Sequence, residues 1–286
     1  MLAAEATWQP TVWNGEEAMQ STQNRRRAIV SIERARLVAL NLTSSDRNLL
    51  FAPDSRNDPA GWGGHRVWLG PQSLWAKIWP PPDAWEHRRP ESYSVAGNTL
   101  RLVMRDAGAG WPRLVRTYRW EGSRLICGVE VHGGARPAQV IQIIQVPAGD
   151  IVHVEAQPDA ENPQGYVRLP AGHLAVRLTG FTPPRQVTRQ LNHLSIENGE
   201  EPEKLGFRPQ FLVGAPREGL WITVDRISQT GRIVRDPDLG FPTQVYLGGR
   251  EPFIELEQLS PLFAMKTDAC FEICVDAGEP LPLPTK

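Results

Sequence analysis

What recurs along this chain is the short run of alternating apolar and polar residues, cut off each time by proline or glycine. Such runs fall at 28–32, 35–42, 47–51, 65–69, 99–105, 113–120, 124–132 and 138–146, and again at 151–156, 173–179, 185–196, 220–227, 243–248, 252–259 and 270–276. Period two is the signature of a strand with one wet face, so the chain is expected to be all-β. In NTLRLVMRD, Leu100, Leu102 and Met104 alternate with Arg101, Val103 and Arg105, as an antiparallel strand requires. LVRTYRWEGSRLICGVEVHG then reads as a hairpin closed by Glu121-Gly122-Ser123. The six arginines between 101 and 124 read as the solvated face of that meander rather than as an anion-binding stripe.

About fifteen strands are too many for one flat sheet, and no propeller repeat of roughly 40 to 50 residues is present. A large antiparallel sandwich remains. The expected organisation is an irregular N-terminal arm over 1–27, ending in Arg25-Arg26-Arg27, a single sandwich domain over 28–277, and a Pro-rich tail over 278–286. With 41% hydrophobic and 22% charged residues the chain can bury a core, which excludes global disorder. Its 31 basic and 32 acidic residues nearly cancel, so no global field favours nucleic acid or an anionic membrane. The 27 arginines against 4 lysines reflect codon composition more simply than a site. Three cysteines cannot all pair within the chain, and Cys270 and Cys274 lack the partners of a zinc site, so buried thiols are expected. No apolar stretch reaches membrane-spanning length, and the first residues lack the basic and apolar regions of a secretory signal. The expected location is cytoplasmic as written, or exported if a leader is missing from this chain.

Residues 61–86 hold Trp62, Trp68, Trp75, Trp79 and Trp85, half of the ten tryptophans. Tryptophan is a broad apolar plate with one N–H donor, suited to stacking on a sugar face while polar neighbours take its hydroxyls. The alternative is that these rings plug one end of the sandwich. Gly61, Gly63 and Gly64 deliver His65 to the mouth of the strand HRVWLG, where it serves either as general acid or as a structural hydrogen-bonding group. Period two places His65 with Val67 and Arg66 with Trp68 on opposite faces. Late in the chain, EPFIELEQLSPL puts Glu255 and Glu257 on one face and Ile254, Leu256 and Gln258 on the other. Two carboxylates side by side near apolar neighbours raise one pKa, which is how a strand glutamate becomes a base near neutrality. The common nucleotide-binding, zinc-protease and hydrolase motifs are missing. Asp236 and Asp238 read as turn formers rather than calcium ligands, so no metal and no cofactor is expected.

An early GGHRVWLGP followed by WPPP, a central hairpin and a late FIELEQLSP resemble the galactose mutarotase-like superfamily, over roughly residues 28–277. The resemblance implies a supersandwich of antiparallel sheets and a mono- or oligosaccharide partner. In the family's sugar epimerases a late strand glutamate takes the anomeric proton and a histidine protonates the ring oxygen. Leu256-Glu257-Gln258-Leu259 departs from the family's L-E-x-Q by a leucine in last place, so Glu257 inherits the base role and Glu255 stands in reserve. The family's Asn-His pair after the hairpin is replaced by QVIQIIQVPAG, with Gln142 and Gln145; His193 follows Asn192 some fifty residues too late. The expected function is therefore carbohydrate binding, with Trp68, Trp79 and Trp85 as plates and His65, Arg66 and Gln142 as polar partners. The alternatives are an aldose 1-epimerase with Glu257 as base and His65 as acid, and a purely structural or interaction domain, to be preferred if the tryptophans are wholly buried.

Overall fold

The computed structural model describes residues 7–53, 63–71, 75, 83–86, 88–149, 151–156, 158–169, 187–190, 193–208, 211–215, 221–235 and 240–278, without the side chains of 155, 188–190, 193 and 211–215. Strands β1 (Gln9–Trp13), β2 (Glu16–Gln23), β3 (Arg26–Ser31) and β4 (Arg36–Leu42) form one antiparallel sheet in chain order. After them come β5 (His65–Gly70) and the short helix α1 (Asp83–Glu86), then the meander β6 (Ser92–Ala96), β7 (Thr99–Val103), β8 (Arg113–Glu121) and β9 (Arg124–His132). β10 (Ala138–Pro147), β11 (Ile151–Glu155), β12 (Val167–Leu169), β13 (Val187–Gln190), β14 (His193–Ile196), β15 (Glu203–Phe207) and β16 (Phe211–Ala215) follow. The chain ends in β17 (Trp221–Thr230), β18 (Ile233–Arg235), β19 (Thr243–Leu247), β20 (Phe253–Phe263) and β21 (Ala269–Gly278).

The second sheet runs β12-β15-β19-β20-β10-β5, with β18 also on β20; the third runs β13-β14-β11-β16-β17-β21-β9-β8-β7-β6. Among the described residues every strand pair is antiparallel, as the alternation predicted. The seven- and ten-stranded sheets face each other: Gln142 on β10 donates to the Phe271 carbonyl on β21 at 3.0 Å, and one apolar cluster reaches from Trp8 to Ala277. Its members alternate along several strands, Leu100 and Leu102 on β7, Leu114 and Tyr118 on β8, Ile254 and Leu256 on β20, while β5 and β10 contribute consecutive residues. Among the described residues no helix is long and apolar enough to cross a membrane.

Two expectations are corrected. Residues 9–23 are not an irregular arm but a hairpin, and Arg26 and Arg27 lie in the third strand of the same sheet. The buried positions of β2 are held by Glu16, Ala18, Met19 and Ser21, a mixture with no apolar period; Glu16 is neutralised by Arg34 at 3.0 Å. The readable signal was Asn14-Gly15, whose φ values of 47° and 77° make the two-residue turn that suits a twisted hairpin. The run 47–51 forms no strand, although Leu49 and Leu50 are buried. Strands β6, β12, β15, β16 and β18 carried too little alternation to be read, while 173–179, Asp236, Asp238 and the tail beyond 278 lie outside the described residues.

The arginine stripe also divides. Arg101, Arg113 and Arg119 lie on the solvated side, whereas Arg116 shares a face with Tyr118 and is fully buried. Its guanidinium donates to the carbonyls of Ala35 in the first sheet, Val67 in the second and Trp85 on α1, at 2.7, 3.3 and 2.6 Å. One side chain of the third sheet thus ties down both of its neighbours. Removing it leaves buried carbonyls without donors, each costing about 1–3 kcal/mol. Arg116→Met is expected to lower stability by about 3 kcal/mol or more, read as a lower urea midpoint at unchanged m. A loss under about 1 kcal/mol would show that the carbonyls find other donors.

Candidate functional site

Side-chain alternation decides what the seven-stranded sheet shows to each side. Gln142, in register with Val67 on β5 and Gln258 on β20, points at the ten-stranded sheet, so Val67, His65, Leu256 and Ile254 do as well. The outer face therefore carries Arg66 and Trp68 from β5, Ile143 and Gln145 from β10, Glu255 and Glu257 from β20, Gln244 and Tyr246 from β19, and Lys204 from β15. The register aligns Arg66, Ile143, Glu257 and Gln244 in one row and Gln145, Glu255, Tyr246 and Lys204 in the next. Arg66 and Glu255, 189 positions apart in sequence, are joined at 3.1 Å.

Glu255 and Glu257 share the outer face as expected, and both are nearly buried, at 7% and 3% exposure. Each is held by one oxygen. Glu255 Oε1 accepts from Arg66 at 3.1 Å and from Gln145 Nε2 at 2.8 Å; Glu257 Oε2 accepts from Lys204 Nζ at 2.9 Å. Burial pushes the Glu255 carboxyl up to about 7, with Glu257 adding to it and Arg66 opposing. Tyr246, whose hydroxyl bonds Glu251, is pushed up to about 12, first by burial and then by Glu251 and Glu255. Phe253 packs between Phe51 and Tyr246, at 5.5 and 6.5 Å between ring centroids, and closes one end of the rows with aromatic surface. Beside Tyr246, Glu251 also borders an open depression of about 470 Å³ lined by Glu200, Glu201, Pro202, Gly248 and Arg250.

β5 enters this arrangement from a turn that only glycine permits. Gly63 and Gly64 have φ of 62° and 72°, and a Cβ on Gly64 would stand 2.2 Å from the Leu37 carbonyl oxygen. Gly61 lies outside the described residues. Arg66 is fixed from three sides: it pairs with Glu86, pairs with Glu255, and lies 4.7 Å over the Trp68 ring, whose N–H donates to Glu86 at 2.8 Å.

Several sequence expectations are overturned here. His65 is on the inner face and fully buried, with Nε2 3.0 Å from Gln142 and Nδ1 3.3 Å from the Tyr118 hydroxyl. Burial, then the Arg116 charge, lowers its pKa to about 3 against the Gln142 bond. A histidine neutral at pH 7 and turned away from Glu257 is no general acid for it; it joins the two sheets. Gln142, its partner, is likewise spent between the sheets and is not a ligand-binding residue of this face. Trp85 is a core residue, edge-on to Trp111 at 5.1 Å and 1% exposed. Trp68 belongs to the outer face, but Arg66 covers it, so it supports a polar group and is not a bare plate. Trp75 is buried against Trp68. Trp62 and Trp79, Asn192 and the His193 side chain lie outside the described residues. Among the described residues Cys127 and Cys274 are buried, as read, whereas Cys270 is half-buried. Sequence reasoning missed Lys204, Tyr246 and Gln145, because only strand register brings them beside the glutamates.

The titration of this face is separable. Glu255, raised from 4.5 to about 7, holds a proton in the fold that it has lost when unfolded, so its stabilising contribution is complete below 4.5 and gone above 7. His65, lowered from 6.5 to about 3, acts with the opposite sign, its stability present above 6.5 and lost as pH falls towards 3. The two overlap and offset in wild type. Glu255→Gln isolates the first: relative to wild type, it is expected to gain on the order of 2–3 kcal/mol in stability between about pH 5 and about pH 8, measured by urea unfolding at each pH. A difference that stays flat with pH removes the raised carboxyl.

Comparison with family models gives no match, and no curated protein matches the sequence. Solved structures do match in shape. A provisionally assigned aldose 1-epimerase from Escherichia coli K12 superposes with a TM-score of 0.61 at 13% identity, covering 92% of this chain and 99% of that one. A galactose mutarotase-like protein from Lactobacillus casei ATCC 334 gives 0.60 at 12%, covering 91% and 100%, and the Slr1438 protein from Synechocystis sp. PCC 6803 gives 0.56 at 13%, covering 95% and 98%. The antiparallel sheets described above are those of the galactose mutarotase-like fold.

Proposed function

We propose that the protein binds a carbohydrate on the outer face of its seven-stranded sheet. The observation that carries this reading is the double row that sets the donors Arg66, Tyr246 and Lys204 and the carboxamide of Gln145 around the acceptors Glu255 and Glu257 on a nearly buried floor. A hydroxyl is both donor and acceptor, so adjacent hydroxyls of a pyranose match planar carboxylate and guanidinium groups that are already oriented. Tyr246 and Phe253 supply aromatic surface for the C–H face of a ring. The fold, shared with proteins described as mutarotase-like, is consistent with a saccharide partner.

A second reading, ring opening of the bound sugar, draws on one observation: Glu255 titrates near 7, where a carboxyl both gives and takes protons at neutral pH. No histidine among the described residues lies on this face, which favours binding over turnover. Mutarotation of α-glucose and α-galactose followed by polarimetry separates the two. Wild type is expected not to accelerate it beyond Glu257→Gln, while sugar addition shifts tryptophan emission through Trp68. Acceleration lost in Glu257→Gln makes the protein an epimerase; absence of any sugar-induced signal removes this face as the site. Trp68→Ala and Tyr246→Ala are each expected to weaken binding by about 1–3 kcal/mol, the first by releasing Arg66 and the second by losing an aromatic contact.

A further inference from the structure

Among the described residues, three hydrogen-bond acceptors on this face have no protein donor, and one of them, Gln145 Oε1, is closed off entirely. Glu255 is held through Oε1 and Glu257 through Oε2, which leaves Glu255 Oε2 and Glu257 Oε1 unpaired on two side chains that are more than nine-tenths buried. The third is independent of the carboxylates. Gln145 is fully buried, its amide nitrogen is spent on Glu255, and its Oε1 meets no donor at all. A buried acceptor without a donor costs free energy, and a ligand that supplies the donor is one way to recover it. Gln145 is the register partner of Glu255, and Glu257 is two residues further along β20 on the same side, so the three acceptors belong to adjacent positions of one face.

We infer that this trio receives a primary ammonium group, and that the carbohydrate bound here is an amino sugar. An ammonium carries three N–H donors and one positive charge; it matches three unpaired acceptors on two neighbouring carboxylates and a carboxamide. A hydroxyl has one donor and leaves two of them unmet. The charges around the trio agree. Arg66 is divided between Glu255 and Glu86, Lys204 serves Glu257, and Glu251 stands beyond Tyr246, so Glu251, Glu255 and Glu257 outnumber the cations that reach them. The mutual repulsion that helps keep a proton on Glu255 is relieved equally well by a ligand cation. Binding then weakens at low pH as Glu255 is protonated and at high pH as the ligand amine loses its proton.

This inference rests on the carbohydrate reading, and the test keeps the two apart. Binding of glucosamine, glucose, N-acetylglucosamine and ethanolamine to the intact chain is measured by calorimetry near neutral pH. Glucosamine is expected to bind about tenfold or more tightly than glucose and N-acetylglucosamine, the margin of a charge-assisted bond over a neutral one, and Glu255→Gln is expected to reduce that margin severalfold. Glucose or N-acetylglucosamine binding as well as glucosamine overturns the amine while leaving a sugar site. Ethanolamine binding as tightly as glucosamine shows a site for amines and overturns the sugar. No binding by any of the four overturns both. The wild-type margin does not depend on how well the variant folds.

Discussion

Glu86 is the carboxylate on which the outer face depends. Burial alone would push it up, yet Arg36 and Arg66 hold it down at about 2, with Trp68 donating and Arg116 close by. An ionised group in this setting is tolerable only because each of its neighbours is charged or hydrogen-bonded. The consequence reaches well beyond the pair. Arg36 belongs to the first sheet, Arg66 and Trp68 to the second, and Arg116, which grips the carbonyl next to Glu86, to the third. A four-residue helix has little stability of its own; here it is pinned as the hub where three sheets meet. Arg66 is positioned there before it reaches Glu255, so the outer face inherits its geometry from the core.

That dependence explains which parts were legible in the sequence. Along β7 the alternation of side chains follows burial on one face, and β8 to β10 and β20, though buried on both faces for much of their length, are apolar enough to be read within a few residues. The first two strands could not, because Glu16 and Ser21 occupy buried positions and are compensated by Arg34 and Trp120 from elsewhere. Pattern reading assumes that polar means wet. Wherever a buried charge is answered by a distant partner, the assumption fails, and Arg116 in the middle of an apparently solvated stripe is the clearest instance.

The site was legible in part for the same reason. Glu255 and Glu257 fall on one face by period two alone, and Arg66 falls opposite His65 by the same rule. What period two does not say is which face turns outward. His65 was the natural acid for Glu257 only if both faced the same way; a one-residue offset in register separates the two faces of a sheet completely. The structure resolves this through Gln142, whose bond across to Phe271 marks the inner side. Lys204 lies on a strand with a weak pattern, Tyr246 on one that the alternation did show, and nothing local in the sequence pairs either with β20.

The outer face has the character of a floor prepared for a polar ligand and not of a surface merely left wet. Wet carboxylates would be exposed. Glu255 and Glu257 are instead nearly closed off, each fastened by one oxygen, with the cations that fasten them reaching in from β5 and β15 on either side. Fastening one oxygen removes the rotational freedom that a ligand would otherwise have to restrain, and leaves the second oxygen aimed by the first. The cost is visible as the raised pKa of Glu255 and the unmet oxygen of Gln145. A fold selected for stability alone would replace these groups by apolar ones, as Ile143 between them already illustrates. Gln145 Oε1 shares its unmet state with buried groups elsewhere, Gln139 Oε1 and Glu203 Oε2 among them; what sets it apart is its place beside two nearly buried carboxylates and aromatic rings on one face, an arrangement suited to binding.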